Sequence, residues 1–338
     1  MTSIRRPAVQ FPGGKQFAFS IFDDTDVATL ESIRPLYELL DQLGFRTTKS
    51  VWPLTYRGRS DYEGSDTLED PAYASYVRHL QQRGFEIGFH GARMESSERA
   101  DIESAFEVFR QNLGRYPTTY AAHGHNSDNL YWGVDRFRFR LWRWLYAALG
   151  GRLEQAAQGH RAESRFYWGD IAELHLRYMR SFIYDDLNLW NITTAIPYRT
   201  EGTPGVRAFF PSAFADNVEE FIELLSPRRL AQLERECGLC IVGTHFGKGF
   251  VRDGRVHPGV TEVLRSLSRR PGWFQPVSTL LDHLASAQGG VALLEGYRLF
   301  RLEGLSFWHS VRRRRRQRTY EKTELAYLRR ASEQRAGR

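Results

Sequence analysis

A rhythm repeats along most of the chain: a short bulky apolar run, a polar residue at its tip, an amphipathic stretch, a glycine, then the next run. Phe17, Phe19, Ile21 and Phe22 open the series as a strand apolar enough to be covered on both faces. A helix is predicted over Ala28–Leu43, with Leu36, Leu39, Leu40 and Leu43 on one stripe and Gly44 ending it. Arg46–Trp52 follows as a strand; Pro71 starts a helix carrying Ala74, Val77 and Leu80, and Gly84 stops it. Phe85–His90 is the third strand, Ser96–Leu113 a helix with Ile102, Phe106 and Phe109 in register, and Thr119–His123 the fourth strand. Regularity returns with Val206–Pro211, helices Val218–Leu225 and Pro227–Glu236, and the strand Gly238–His245. A helix over Thr261–Arg270, a short strand Trp273–Val277 and a helix capped by Ser278 and running through Leu284 complete it. Val291–Leu302 alternates weakly and predicts an added strand pair. Strands and helices in this order suit a parallel barrel or a doubly wound sheet.

The middle, Asn126 to about Arg207, breaks the rhythm. Phe137, Leu141, Trp144, Leu145 and Leu149 fall on one helical stripe beside Arg136, Arg140 and Arg143. Such a helix either docks on the barrel with an ordinary basic edge, the reading we adopt, or lies in a membrane interface.

Composition narrows the class. With 338 residues, 41% apolar and 14% aromatic, the chain has ample material for a large core and is not a disordered protein. Met1–Lys15 shows no apolar signal region and no apolar run is long enough to span a bilayer, so a cytoplasmic protein is expected. Cys237 and Cys240 have no second pair to complete a structural zinc site and are expected to be reduced packing residues. The net charge of +7 is local: residues 312–338 carry +8, leaving a body at −1. A neutral body argues against a nucleic-acid groove. The basic tail suits an anionic membrane surface or is a solvated end.

The candidate chemistry sits at the strand tips: Asp23, Asp24 and Asp26 after the first, His90 after the third, His123 and His125 after the fourth, His245 after the late one. Adjacent carboxylates repel unless a cation or a shared proton offsets the charge, although an Asp pair also caps a helix. Asp and His together suit zinc and similar divalent ions. Gly88 and Gly91 around His90 permit close backbone approach.

These motifs resemble the polysaccharide deacetylase family, carbohydrate esterases that remove acetyl groups from sugars. F-D-D-T at Phe22–Thr25 looks like its opening motif, E-I-G-F-H at Glu86–His90 its first histidine strand, C-I-V-G-T-H-F-G at Cys240–Gly247 its late strand, and Gly272–Leu284 its closing segment. H-G-H-N at His123–Asn126 and N-L-Y-W-G at Asn129–Gly133 look like a divergent branch associated with O-antigen and other surface-polysaccharide biosynthesis. The resemblance covers residues 16–285. It implies an irregular seven-stranded (β/α) barrel over 16–288, with an N-terminal arm (1–15), an insertion (about 126–207) and a C-terminal extension with a basic helical tail (289–338).

It also implies roles. Asp23 is the general base, Asp24 and His90 are metal ligands, and His245 is the general acid. Met94 stands where the second metal histidine is usual, so the third ligand is expected to have moved to His125, or else to His123. The family's arginine-and-proline motif is not recognisable. His123, Asn126, Asn129, Trp132 and Lys248 are expected sugar contacts, although Tyr131 and Trp132 suit a core equally well. The expected cofactor is a divalent metal, zinc first, with cobalt, nickel or manganese as alternatives. The expected substrate is an N- or O-acetylated sugar of a surface polysaccharide or its lipid-linked precursor, reached at a membrane through the tail. Rival readings are a glycan-binding barrel that has lost its metal and a metal-dependent hydrolase of a non-sugar amide or phosphoester.

Overall fold

The computed structural model describes residues 9–57, 65–124, 126–149 and 157–313. In chain order the strands are β1 (Phe17–Asp23), β2 (Thr48–Val51), β3 (Glu86–Phe89), β4 (Thr119–Tyr120), β5 (Tyr178–Tyr184), β6 (Tyr198–Arg199), β7 (Phe209–Phe214), β8 (Leu239–Thr244), β9 (Val251–Arg252), β10 (Arg255–Val256), β11 (Gly272–Phe274) and β12 (Ala292–Leu293). The helices are α1 (Leu30–Gln42), α2 (Pro71–Gln82), α3 (Arg99–Leu113), α4 (Arg140–Ala148), α5 (Gly169–His175), α6 (Val218–Leu224), α7 (Pro227–Arg235), α8 (Pro258–Ser268), α9 (Val277–Ala287) and α10 (296–313).

Seven strands, β1, β2, β3, β4, β5, β7 and β8, pair in that order, all parallel, and β8 returns to β1 to close a barrel. β2 reaches only the C-terminal end of β1, at Phe22 and Asp23. β11 fills the other end of that seam, pairing Phe17–Phe19 with Gly272–Phe274. Below it Phe11 stacks on Trp190 and Trp273, so the expected N-terminal arm is docked from its described part onward.

β1 shows how the barrel sorts side chains. Phe17, Phe19 and Ile21 pack with Ile33, Leu36 and Leu40 of α1 and Val77 of α2 in the outer layer. Ala18 and Phe22 pack with Phe210, Leu239 and Ile241 inside. Successive strand residues point to opposite faces, so Asp23 continues the outer series and Asp24 the inner one. After the strand, Thr29 caps α1: its hydroxyl accepts from the Ser32 amide and Ser32 Oγ accepts from the Thr29 amide.

Several expectations change. The stretch expected as an insertion, 126–207, contains β5, a barrel strand. α4 is docked as expected, but through Trp142, which packs on Phe300 and Phe307 of α10 and donates to the Phe300 carbonyl at 3.0 Å. Most of the predicted stripe faces out: Leu141, Trp144 and Leu149 are exposed. In place of the predicted strand pair, 291–302 gives only the short β12 beside β6, then α10, whose Leu299, Leu302 and Phe307 are buried at helical spacing. Glu303 of α10 is buried and accepts from the Arg138 and Phe139 amides at the start of α4, at 2.6 and 3.1 Å. α9 begins one residue before Ser278, with Pro276 in the capping position. Cys237 is exposed, Cys240 buried, and both are free thiols. Among the described residues no helix is long and apolar enough to cross a membrane.

Candidate active site

The C-terminal ends of the barrel strands bring together Asp24 and Asp26 after β1, His90 after β3, His123 after β4, Asp216 after β7 and His245 after β8, with Arg180 of β5 paired to Asp24. The centre of this group is Asp26, a residue the motif comparison gave no role. Its Oδ1 lies 3.1 Å from His90 Nε2 and 3.7 Å from His123 Nε2, and its Oδ2 lies 3.2 Å from His245 Nε2. Burial alone would raise its pKa, but the charge of His123 and the hydrogen bonds of His245 and His90 hold the carboxyl well below its usual range.

Asp24 is held differently. Its Oδ2 accepts from the Arg180 guanidinium at 2.5 Å, and that guanidinium lies over the Phe22 and Phe214 rings. A Cβ at position 243 would come within 2.7 Å of the Arg180 guanidinium, so Gly243 makes room for the ion pair. Asp24 Oδ1 and His90 Nδ1 face each other at 3.9 Å, both buried and both without a hydrogen-bond partner. Unsatisfied buried polar atoms of this kind ask for a ligand, an ion or a water.

His245 faces carboxylates through both ring nitrogens: Nε2 towards Asp26, Nδ1 3.0 Å from Asp216 Oδ1. Lys248 Nζ donates to the same Asp216 oxygen at 2.9 Å. Burial and Lys248 lower the imidazole pKa, but Asp216 and Asp26 outweigh them and raise it to about 9. Asp216 is held well below the ordinary carboxylate range: its burial is outweighed by Lys248 and His245, with Arg313 adding to them.

Asp23 does not join this group. Its Oδ1 accepts from the Phe246 amide at 2.8 Å; its Oδ2 accepts from Tyr37 Oη at 3.0 Å and pairs with Lys49 Nζ at 3.2 Å. Both charged side chains are fully buried in the outer layer. Burial raises the pKa of Asp23 and Lys49 opposes it. The base role expected of Asp23 is therefore corrected: strand alternation turns it away from the histidines.

The other expected residues divide as follows. Asp24, expected as a metal ligand, is engaged by Arg180, whereas Asp26 is the carboxylate against His90 Nε2. His125 lies outside the described residues, and His123 is the fourth-strand histidine at Asp26. Asn126, expected to touch sugar, sits with Oδ1 3.3 Å from His123 Nδ1, which orients the ring. Asn129 donates to the His123 carbonyl and accepts from Tyr120 Oη, which braces the same loop. Trp132 donates to the Gly124 carbonyl at 2.9 Å beneath the Arg136 guanidinium, and Tyr131 is buried. Met94 is buried.

Among the described residues no His, Cys, Asp and Glu side chains form a ready-made metal cage. The donor chemistry nevertheless fits an ion. Ligand atoms about 2.0–2.2 Å from a tetrahedral zinc lie about 3.3–3.5 Å from one another. The 3.1 and 3.7 Å separations around Asp26 Oδ1 bracket that spacing.

Neither a protein-family model nor a curated protein matches the sequence. Solved structures do match. A Mycobacterium smegmatis protein described as a polysaccharide deacetylase aligns with TM-score 0.50 at 14% identity, over 86% of this chain and 96% of its own. An allantoinase aligns with TM-score 0.48 at 12% identity, over 84% of this chain and 95% of its own. A family 4 acetyl xylan esterase from Clostridium thermocellum, solved with cobalt, aligns with TM-score 0.37 at 14% identity, over 81% and 92%. The first of these shows a shared fold: the chain has the polysaccharide-deacetylase barrel that its motifs predict.

Proposed function

We propose that the chain is a metal-dependent deacetylase that removes an N- or O-acetyl group from a sugar of a surface polysaccharide or its lipid-linked precursor. The observation that carries this reading is Asp26 standing among His90, His123 and His245, with Asp24 fixed beside it by Arg180. In this reading Asp26, His90 and His123 hold the cation, zinc first for such a donor set. When bound, it supplies Lewis acidity to the acetyl carbonyl and to water.

The chain's own groups do the proton work. Asp24, held by Arg180, accepts a proton from the attacking water. His245, oriented by Asp216, donates a proton to the departing nitrogen or oxygen. Asn126 fixes the His123 ring, and Asp216 with Lys248 fixes His245. The basic tail beyond residue 313 lies outside the described residues. Its sequence supports a glycan presented at an anionic membrane surface.

The test is metal content by mass spectrometry on protein purified without a histidine tag, paired with acetate release from acetylated sugars. Wild type is expected to carry near-stoichiometric metal and to release acetate. Asp26→Ala and His123→Ala are expected to lose both, and Asp24→Asn to keep the metal but lose turnover. Wild-type protein that takes up no zinc, cobalt, nickel or manganese would move the reading to a glycan-binding barrel. Release of phosphate instead of acetate would move it to a different hydrolase.

A further inference from the structure

A second cavity, of about 530 Å³, opens between the loop after β5, α7 and α10. That volume falls within the roughly 300–1,000 Å³ of ligand sites. Its wall includes His309, whose Nδ1 lies 3.2 Å from Asp185 Oδ2. A carboxylate oxygen accepts, so Nδ1 carries the hydrogen. Nε2 is left buried and without a hydrogen-bond partner in a side chain only 5% exposed. A buried imidazole nitrogen left unmatched at a cavity wall is costly unless something in the cavity completes it.

Beside it Trp308 stands 56% exposed, a flat indole on the same wall. Gln232 and Arg229 of α7 and Arg312 of α10 supply hydrogen-bonding groups around it. Arg229 already donates to the Asp185 carbonyl at 3.0 Å, which fixes its guanidinium at the cavity wall.

The cavity is also close to the cleft. His309 and Arg313 are one helical turn apart, about 6 Å along α10. The Arg313 guanidinium lies 4.0 Å from Asp216 Oδ2, and Asp216 is the carboxylate paired with His245. One helical turn, the Arg313 side chain and Asp216 therefore connect the cavity wall to the candidate catalytic histidine.

We propose that this cavity is a distal carbohydrate subsite, which takes one or two further sugar units of a glycan whose acetylated unit lies at Asp26. A ring stacks its apolar face on Trp308 while His309 Nε2, Gln232 and Arg229 meet its hydroxyls. The proposal rests on the deacetylase reading for the identity of the glycan, but the cavity itself can be tested without turnover.

The experiment uses the full chain on a microarray of N- and O-acetylated oligosaccharides, followed by titration calorimetry with the tightest array ligand. Acetate release is measured in parallel from that oligosaccharide and from its acetylated monosaccharide. Trp308→Ala and, separately, His309→Gln are expected to weaken oligosaccharide binding at least tenfold. Both are expected to leave monosaccharide turnover unchanged, removing the advantage of the longer substrate. Weakened binding without acetate release from any variant would support the subsite and overturn the deacetylase reading. Acetate release with the same affinity in wild type and both variants, or no array ligand for the wild type, would overturn the subsite.

Discussion

Asp23 and Asp26 are three residues apart in one acidic cluster, both buried, yet they belong to different parts of the molecule. Asp23 points into the helix layer, where Lys49, Tyr37 and the Phe246 amide satisfy it. Asp26 sits over the barrel mouth, and the groups facing it are imidazoles on three other loops. A lysine partner makes a closed structural pair. Histidines, which exchange protons near neutral pH and bind metals through a ring nitrogen, make a reactive one. The lesson is that proximity along a strand does not group acids by role; the face each occupies does.

The largest way to break this comparison is to neutralise each acid in turn and read activity. Asp26→Asn is expected to reduce acetate release by about 10³-fold or more, the loss of several kcal/mol of transition-state stabilisation. Asp23→Asn, in whatever fraction remains folded, should keep turnover per folded molecule within a few-fold of wild type. Equal losses per folded molecule would return the base role to Asp23.

The next effect is on stability. Removing one member of a buried ion pair strands the other, at a cost of about 3–5 kcal/mol. Asp23→Ala is therefore expected to lower the urea-unfolding free energy by about that amount. Adding Lys49→Met should recover part of it, because no uncompensated charge remains. Simple additivity of the two losses would show that the pair is not the stabilising unit.

A smaller effect sharpens the contrast with a third buried acid. Asp128 accepts from the Ser97 amide at 3.0 Å, and burial pushes its pKa up to about 7, with Asp101 and Glu95 adding to the shift. The unfolded value is about 3.9. The folded state thus favours the protonated acid, so its contribution is full below about pH 4 and is lost as pH rises towards 7. Asp128→Asn is expected to match wild-type stability near pH 4 and exceed it by about 4 kcal/mol at pH 8. Denaturant midpoints at the two pH values check this, and parallel wild-type and variant curves would refute it.

Much of this was legible in the sequence. The strand–helix rhythm predicts the barrel, and polar tips on β1, β3, β4 and β8 predict the rim of the site. The assignment of roles was less legible. Strand alternation through Phe19, Ile21 and Asp23 carried the signal that Asp23 faces outward, but motif resemblance took the first aspartate of F-D-D-T as the base. Arg180 was missed because β5 lies in the unassigned middle, although an arginine within Y-M-R-S-F-I-Y is a conspicuous charge in a buried strand. Asp216, two residues past β7, follows the same tip pattern as the histidines and was open to the same argument. What pattern alone did not supply is which tip meets which, because that depends on closure of β8 against β1.

The Glu303 bridge bears on where the chain can be cut. Its carboxylate fastens the backbone at the head of α4, and the Tyr184 hydroxyl donates to the neighbouring Leu302 carbonyl. The far end of the chain thus secures both a mid-chain helix and a barrel strand by main-chain contacts that substitutions at positions 138, 139 and 302 leave in place. A shortened protein ending at the last barrel-associated helix, near residue 288, would uncap α4 and expose the Trp142 contact. One ending just after residue 313 would retain the Glu303, Leu302 and Trp142 contacts.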